Sequence, residues 1–386
     1  MRILHLCLAN FYIDNYSYQE NMLPKYHKMM GHYVSVIASK VSFDENGELC
    51  LLKKQGETLS REGYKVLRLR YKRFLYPLNK RIRRYERTYI SIKEENPDII
   101  FVHGCQFWDI KKIREYKRHN RNVKIFVDNH ADFNNSASNW ISKHILHKVI
   151  WRHCAKSIEG FTEKFYGVTP NRCAFLENVY KIEKNKIELL LLGVDDERIN
   201  VDQKENIRSR VRKMYNIPEN DFVIISGGKL DLRKNVHLLI QAVNELENDK
   251  IKLILFGKIK LQIQPELIEL CKSDNIRYVG WVNSNNIYDL LQASDLGVFP
   301  GTHSVLWEQA VGTGLPCIFK YWEGMDHIDL DGNCRFLYND SVSEIKKILE
   351  EVINDRDQYS RMKDVAESNK RKKFSYHEIA RKAIEY

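Results

Sequence analysis

Short apolar runs alternate with amphipathic stretches along the whole chain, and this order predicts the fold. The apolar run Arg2–Leu8 precedes helical spacing over Tyr18–Met30, and the β-branched run Tyr33–Ala38 follows. Runs of this length are typical of buried strands, and strands that alternate with helices indicate parallel sheets joined by crossover helices. Helical spacing also covers Leu78–Glu95, which predicts one basic helix there.

The alternation pauses in the charged, turn-rich segment Asp195–Asp221 and restarts at Phe222. We therefore predict an α/β chain of two Rossmann-like domains, at about 1–196 and 197–370, with 371–386 returning to the first domain as a helix. In such sheets ligands bind at the carboxyl ends of the strands, so the loops that follow strands are the candidate sites.

The amino-acid composition indicates the cellular compartment and the kind of partner. Hydrophobic side chains make up 43% of the 386 residues, yet no apolar run reaches the ~18 residues of a membrane-spanning helix. The eight cysteines show no paired spacing, which favours reduced thiols and a cytoplasmic protein. A net charge of +11 indicates an anionic partner: a nucleic acid, a phospholipid surface or a phosphorylated small molecule.

Much of the positive charge lies in one segment. Arg70–Arg87 contains eight basic residues and one acid, Glu86, mixed with leucine and tyrosine. Basic and apolar side chains together favour a patch on an anionic membrane, which would make the protein peripheral on the inner face of the plasma membrane. A solvated helix face is the second interpretation. A nucleic-acid surface ranks third because no nucleic-acid-binding module accompanies it, and no nucleic-acid partner is predicted.

The loop after the strand at Phe222 carries residue types suited to phosphate. Gly227 and Gly228 are followed by three cations, Lys229, Arg233 and Lys234. Glycines let a ligand approach the backbone closely, and a helix N-terminus with nearby cations attracts a diphosphate. A tight turn with solvated lysines is the alternative interpretation.

A second polar loop, Thr302-His303-Ser304, follows a buried strand and precedes Glu308. A carboxylate at that position can accept two hydrogen bonds from a ribose diol, while the N–H groups of the loop face phosphate. Alternatively, Glu308 is an acid that the helix dipole favours in a first turn.

The order and spacing of these loops resemble the retaining family-4 glycosyltransferases (glycosyltransferases group 1) of capsule or surface-polysaccharide synthesis, whose second half reads GRLxxxKG, E-x7-E and GxP. The matching positions are Gly228-Lys229-Leu230, Lys234, the turns at Gly257 and Val279-Gly280-Trp281, Glu308 and Gly314-Leu315-Pro316. The family's first half is similar to this chain at Met1–His5, Glu20, Gly31-His32, Val34 and Leu192-Gly193-Val194-Asp195.

The resemblance implies the GT-B architecture, in which two Rossmann-like domains face each other across a cleft. It also implies transfer of a hexose from a nucleoside-diphosphate sugar to a glycan acceptor, free or lipid-linked, with retention of configuration and without a metal ion or other cofactor. The predicted donor-binding residues are Gly228, Lys229, Arg233, Lys234, Gly257, Val279, Trp281, Thr302, His303, Ser304, Val305, Glu308 and Gln309.

Three positions depart from the family pattern. Pro300 or Gly301 stands where the first Glu of E-x7-E belongs, so its contact with the donor sugar is either missing or taken over by Thr302 or His303. Lys229 replaces the arginine of GRL and keeps its charge without its bidentate fork. Gln309 is a second candidate for the last Glu, because the spacing to GxP is one residue longer than usual.

A histidine and two carboxylates follow the strand that ends at Val127. Asp128, His130 and Asp132 can there orient an acceptor hydroxyl or contact the transferring sugar, and the family places a His or Asp in this loop. Capping of the next helix and a metal site are the alternatives, in that order.

Four residues are predicted to line the acceptor side. They are Tyr16, Ser17 and Tyr18, which stand where the family has a glycine-rich loop, and His103, at another strand end. A structural turn is the alternative for His103. Three other functions stay open for the whole chain: a nucleotide-sugar epimerase, a non-catalytic nucleotide-sugar-binding protein and a nucleic-acid-binding protein.

Overall fold

The computed structural model describes residues 1–44, 49–53, 56–132 and 142–385. They form two units, Met1–Leu192 with Tyr376–Tyr386 and Gly193–Ser375. Across those described ranges, every helix is too short or too polar to span a bilayer.

The first unit is built on an eight-stranded sheet and a small hairpin. Its strands are Arg2–Cys7 (β1), Tyr33–Ser39 (β2), Val41–Phe43 (β3), Leu49–Leu51 (β4), Gly56–Leu59 (β5), Lys65–Leu69 (β6), Ile99–His103 (β7), Lys124–Asn129 (β8), Lys164–Gly167 (β9) and Ile187–Leu189 (β10). Its first six helices are Gln19–Met29 (α1), Tyr76–Arg81 (α2), Thr88–Glu95 (α3), Lys111–His119 (α4), Arg152–Glu159 (α5) and Pro170–Asn178 (α6). A π-helical segment, Ser142–Trp151, precedes α5.

The sheet order is β10-β9-β8-β7-β1-β2-β6-β5, and every pair is parallel except β5 with β6. β1, β7 and β8 lie at the centre and are almost entirely buried, which explains their continuous apolar sequences. The strand order reverses between β1 and β7. The carboxyl ends of these strands therefore form the switch point at which open α/β sheets bind ligands.

The basic segment differs from the single helix that the spacing predicts over Leu78–Glu95. The structure contains α2 and α3, separated by a turn in which Arg83 and Arg87 adopt φ angles of 55° and 62°. A right-handed helix cannot contain such residues. An isolated bridge joins Tyr71 to Tyr85, and their ring centroids lie 4.8 Å apart. The prediction was wrong because apolar spacing does not reveal this contact between the two flanks of the turn.

The second unit contains a six-stranded sheet. Its strands are Phe222–Gly227 (β11), Ile251–Phe256 (β12), Ile276–Gly280 (β13), Leu296–Phe299 (β14), Cys317–Lys320 (β15) and Cys334–Leu337 (β16). Its helices are Lys204–Met214 (α7), Val236–Glu245 (α8), Gln264–Leu270 (α9), Ser284–Ala293 (α10), Leu306–Gly312 (α11), Val342–Asn354 (α12) and Arg356–Glu367 (α13).

All pairs of this second sheet are parallel, in the order β13-β12-β11-β14-β15-β16. The order reverses between β11 and β14, so the loops after these two strands meet at the switch point. The two Rossmann-like units with parallel sheets confirm the predicted α/β fold class.

The last helix, Tyr376–Ala383 (α14), belongs to the first unit and packs against α1. The final carbonyl groups of a helix lack partners within it, and two of them are satisfied here by side chains of the first unit. His27 Nε2 donates to Ala380 O (2.8 Å), and the Tyr166 hydroxyl donates to Lys382 O (3.1 Å). These bonds fix the returning segment in place.

Candidate functional site

In the second unit, the loops that follow β11 and β14 are tied together by Lys234. Its Nζ donates to the carbonyl oxygens of Thr302 and His303, the latter at 3.3 Å. The Thr302 N–H donates in turn to Arg233 O (2.9 Å). The two segments that the sequence singles out for phosphate and ribose therefore form one structure. A narrow pocket lies within it, lined by Gly227, Lys234, Gly301, Thr302, Ser304 and Trp307.

Two glycines make this close approach possible. A Cβ atom at Gly257 would lie 1.8 Å from Gly228 O, and one at Gly301 would lie 2.3 Å from Arg233 O. Gly257 also has a φ of 123°, which residues with side chains rarely adopt. Any side chain at either position would push the strand ends apart, so the geometry of the pocket depends on both.

The Lys234 ammonium is expected to make ligand binding depend on pH. Burial lowers the pKa of Lys234 to about 8, while Asp231 acts in the opposite direction and Arg233 adds to the decrease. The charged fraction therefore falls as the pH rises through 8, and an anion that needs this charge binds less tightly. We expect the dissociation constant of a nucleoside diphosphate, measured by calorimetry, to rise roughly tenfold between pH 7 and pH 9.

Lys234→Met is the matched variant, because it removes the ammonium and keeps an unbranched chain of similar length. It should weaken binding at pH 7 and remove the pH dependence. Lys229→Met, which removes an exposed cation from the same loop, should keep the dependence. A dependence that survives in Lys234→Met would belong to another group.

Glu308, in the first turn of α11, is held by two histidines. The side chain is fully buried, and its Oε1 accepts hydrogen bonds from His303 Nε2 and His327 Nε2, both at 2.8 Å. Burial acts to raise the pKa of the Glu308 carboxyl, but the two imidazoles outweigh it and hold this pKa well below its ordinary value. Oε2 is buried and has no hydrogen-bond partner among the described residues.

The same three side chains can hold a metal ion. Among the described residues, the ligand atoms of His303, Glu308 and His327 lie within 4.8 Å of one another. Imidazole and carboxylate are ligands that Zn²⁺ accepts. Both imidazole nitrogens nevertheless point at one carboxylate oxygen at hydrogen-bond distance, so hydrogen bonds alone account for the arrangement. Metal independence stays a prediction.

The other predicted donor residues lie in different surroundings. Arg233 is largely exposed and pairs with Asp231 (2.6 Å). Gln309 is buried and donates to the Tyr288 hydroxyl (3.3 Å), so Glu308 and not Gln309 joins the histidines. The remaining side chains are partly or largely exposed: Lys229 after β11, Val305 after β14, and Val279 and Trp281 at the end of β13.

In the first unit, Asp128 and His130 come together at the end of β8. Asp128 Oδ2 accepts from His103 Nδ1 (2.8 Å), and Oδ1 accepts from the Gly104 N–H (3.0 Å). His130 Nε2 lies 3.4 Å from Asp128 Oδ2 and 3.8 Å from a carboxylate oxygen of Glu20. Burial lowers the pKa of His130, but the two carboxylates raise it by more, so it ends above its ordinary value. The two carboxylates thus favour the protonated form of His130.

Asp132 and the tyrosine segment are separate from this pair. Asp132 lies 3.3 Å from the Arg172 guanidinium, so its carboxylate already has a partner of opposite charge. Tyr16 and Tyr18 lie side by side with ring centroids 5.3 Å apart; Tyr18 is exposed, and Ser17 is half-buried.

His103 does not line a surface, contrary to its sequence-based prediction. It has no exposed area and lies behind Asp128. A position at a strand end does not reveal whether a side chain faces solvent or the interior, and here it faces the interior. Sequence reasoning also missed His5, His27 and His327. A histidine inside an apolar strand, such as His5 in β1, is a usable signal because a buried imidazole needs hydrogen-bond partners.

Comparisons with known proteins bear on both units. Residues 207–369 match the family described as Glycosyl transferases group 1. Over 283 residues the chain is 22% identical to the processive diacylglycerol alpha-glucosyltransferase of Acholeplasma laidlawii, which covers 69% of this chain and 78% of that protein.

Solved structures resemble the whole chain. Anabaena HepE in complex with UDP has a TM-score of 0.69 at 16% identity and covers 99% of this chain and 98% of its own. Sucrose-phosphate synthase from Thermosynechococcus elongatus has a TM-score of 0.68 at 14% identity, with 98% and 96% covered. At these identities the likeness shows the fold, which is that of GT-B glycosyltransferases. Together the findings show a GT-B fold for the whole chain and, for residues 207–369, a match to the group 1 glycosyltransferases.

Proposed function

We propose that the protein, as a group 1 glycosyltransferase, moves a hexose from a nucleoside-diphosphate sugar to a lipid-linked acceptor at a membrane surface, with retention of anomeric configuration and without a metal ion. The observation that carries this proposal is the joined loop structure around Lys234 at the switch point of the second sheet. The stretch that matches the glycosyltransferase family, 207–369, contains both of these loops.

The second unit is assigned the donor. In the reaction the bond between the sugar C1 and the diphosphate oxygen breaks, C1 bonds to the acceptor oxygen, and the acceptor hydroxyl gives its proton to the departing diphosphate. Negative charge grows on the departing diphosphate, so fixed cations and N–H groups near it lower the barrier. Lys234 and Lys229 would supply that charge, and Glu308 Oε2 would accept from the ribose hydroxyls.

The first unit is assigned the reacting sugar and the acceptor. His130, with its raised pKa, would donate a hydrogen bond to the sugar or the acceptor hydroxyl, and Asp128 would hold the ring in position. Tyr16 and Tyr18 offer an aromatic surface for a sugar ring or an acyl chain.

The surface around α2 supports a lipid-linked acceptor. Phe74 is 83% exposed and Leu78 is 51% exposed. Exposure of such apolar side chains to water does not stabilise the protein. They stand among three exposed cations, Arg73, Lys80 and Arg81. Apolar side chains surrounded by basic ones suit the interface of an acidic bilayer. We call residues 73–81 the α2 patch. The relative from Acholeplasma laidlawii is named for transfer to diacylglycerol, a membrane lipid.

The direct test is transfer from a panel of nucleoside-diphosphate hexoses, UDP-glucose first, to diacylglycerol in acidic vesicles. We expect stoichiometric formation of nucleoside diphosphate and glycolipid, with an α-donor giving an α-linked product by NMR coupling constants. Activity should persist in EDTA. Release of diphosphate without a glycosylated lipid would leave the donor assignment standing and exclude this acceptor.

Other outcomes would replace the proposal. A β-linked product would exclude retention. Loss of activity in EDTA with recovery on adding Zn²⁺ would exclude metal independence and point to His303, Glu308 and His327. A new nucleotide-sugar epimer formed from the donor alone would indicate an epimerase, and tight donor binding with no turnover on any acceptor would indicate a binding protein.

A further inference from the structure

Three histidines form a continuous hydrogen-bonded chain through the interior of the first unit. His27 Nε2 contacts Ala380 O (2.8 Å), and His27 Nδ1 contacts His5 Nε2 (3.0 Å). His5 Nδ1 contacts His103 Nε2 (3.0 Å), and His103 Nδ1 contacts Asp128 Oδ2 (2.8 Å). All three rings are fully buried. The chain therefore connects the carbonyl end of α14 with the functional end of β8.

The two ends of this chain fix the number of protons within it. Ala380 contributes a carbonyl oxygen and Asp128 contributes a carboxylate, and both groups only accept hydrogen bonds. Four hydrogen bonds thus need four N–H protons. Each neutral imidazole supplies one, so three neutral rings supply three. For all four hydrogen bonds to form, the three rings together must therefore hold one proton more than three neutral imidazoles do.

We propose that the histidine chain holds one excess proton, carried by His103, and that the resulting imidazolium–carboxylate pair keeps Asp128 ionised and oriented towards His130. This inference rests on the proposed function and extends it to residues that do not touch the substrate. His5, His27 and His103 are positioning residues for Asp128, and Ala380 O sets their tautomers from the far end.

The hydrogen bond between His103 and Asp128 is the reason for placing the excess proton on His103. His103 is the member of the chain that contacts a carboxylate. Burial lowers the pKa of His27 to about 4 and that of His5 well below its ordinary value, so these rings stay neutral. Burial acts to raise the pKa of the Asp128 carboxyl, but the imidazoles of His103 and His130 outweigh it and lower this pKa. The proton therefore resides on the ring and not on the carboxylate.

The surroundings of the chain leave this distribution intact. His32 lies beside His27, with ring centroids 6.3 Å apart. Cys7 and Cys105 are near Asp128, and burial raises the pKa of both thiols, so they remain neutral. Glu20 and Arg172 act on the pKa of His130 in opposite directions: Glu20 raises it and Arg172 lowers it.

Two substitutions of His27 test whether the hydrogen bonds of this residue determine the number of protons in the chain. A glutamine amide has an acceptor oxygen and a donor nitrogen spaced much like the two ring nitrogens, so His27→Gln keeps all four bonds and the excess proton. His27→Leu removes the bond to Ala380 and the acceptor for His5. The two bonds that remain need only two protons, which two neutral rings supply. The excess proton is then lost.

The experiment is NMR of isotope-labelled histidine rings at pH 7.5, with His103 assigned from the signal missing in His103→Gln. We expect a doubly protonated His103 ring in the wild type and in His27→Gln, and a neutral ring in His27→Leu. The pH profile of transfer gives a second readout. Loss of the cation beside Asp128 leaves the carboxylate free to raise the pKa of His130, so the alkaline limb should move to higher pH in His27→Leu and stay in place in His27→Gln.

Three neutral rings in the wild type, with Asp128 either protonated or ionised, would overturn the proposal. If His27→Leu does not fold, the spectra of the wild type and of His27→Gln still show whether the histidine chain holds the excess proton. Ring protonation is measured without substrate, so its failure is distinct from a failure of the proposed function, which would appear as an absence of transfer by the wild type.

Discussion

Replacing His130 with alanine is expected to lower the turnover number by roughly 10²–10⁴-fold, the range typical of a positioned proton-donating or proton-accepting group. The ring stands partly exposed at the end of β8, and the Asp128 and Glu20 carboxylates keep its pKa above the ordinary value. Alanine removes the donor and leaves the Asp128 and Glu20 carboxylates without the imidazole beside them. Nucleotide affinity, measured by calorimetry, should not change, because the loops proposed to bind phosphate belong to the other unit.

The same variant tests the charge of His130. Transfer by the wild type should decline as the pH rises through the raised pKa, since the imidazolium form is then lost, and the residual activity of His130→Ala should lack this decline. His119→Ala, at the exposed end of α4, is the matched control and should behave as the wild type. Undiminished turnover in His130→Ala, with only a lower melting temperature, would make His130 structural.

Removing the exposed cations of the α2 patch is expected to weaken binding to acidic vesicles by about a hundredfold. Arg73→Gln, Lys80→Gln and Arg81→Gln together remove three charges, each contributing ~1 kcal/mol near an anionic surface, and about 1.4 kcal/mol corresponds to a factor of ten. Cosedimentation with vesicles measures the effect, and added salt should release the wild type.

These three cations are chosen because their side chains are exposed. Other basic side chains of the segment already have partners within the protein: Arg70 with Glu86, Arg83 with Gln106 O and Arg87 with Glu94. Their removal would disturb the turn between α2 and α3 as well as the surface charge, so a loss of binding would have two explanations.

A matched control for charge lies on the second unit. Arg356→Gln, Arg361→Gln and Lys363→Gln on α13 lower the net charge equally and should leave vesicle binding unchanged. Phe74→Ser should weaken the part of the binding that resists salt. In the α2 variant, transfer to a vesicle-borne lipid should slow while transfer to a short soluble acceptor stays the same. Equal binding of the wild type to neutral and acidic vesicles would contradict the membrane assignment.

The fold and the position of the glycine-containing loops at strand ends could be predicted because both depend on short-range pattern. Buried parallel strands require continuous apolar runs, and these mark β1, β7, β8 and most strands of the second unit. The close backbone contacts at Gly257 and Gly301 require glycine, so these loops can be recognised in the sequence by their glycines. The pairing of Lys234 with the Thr302 loop follows from the switch point of the sheet.

Features that join distant parts of the chain could not be predicted from one sequence. His5 and His103 are 98 residues apart, and nothing local indicates that their rings meet. His327, one of the two histidines that contact Glu308, lies in a segment that sequence spacing does not mark as part of the site. The turn at Arg83 and Arg87 depends on the contact between Tyr71 and Tyr85, which apolar periodicity ignores.

The return of α14 to the first unit has a consequence for how the protein is made. Residues 376–386 leave the ribosome only after the whole of 193–375, so the first unit remains unfinished while the second can already fold. Until then His27 and Tyr166 lack their carbonyl partners, and the surface later covered by Ile379, Ala380 and Ala383 is open to water. Nascent chains that expose such apolar surface are substrates for chaperones and proteases. The second unit can be excised as one continuous piece, whereas the first can be expressed alone only if its two segments are rejoined.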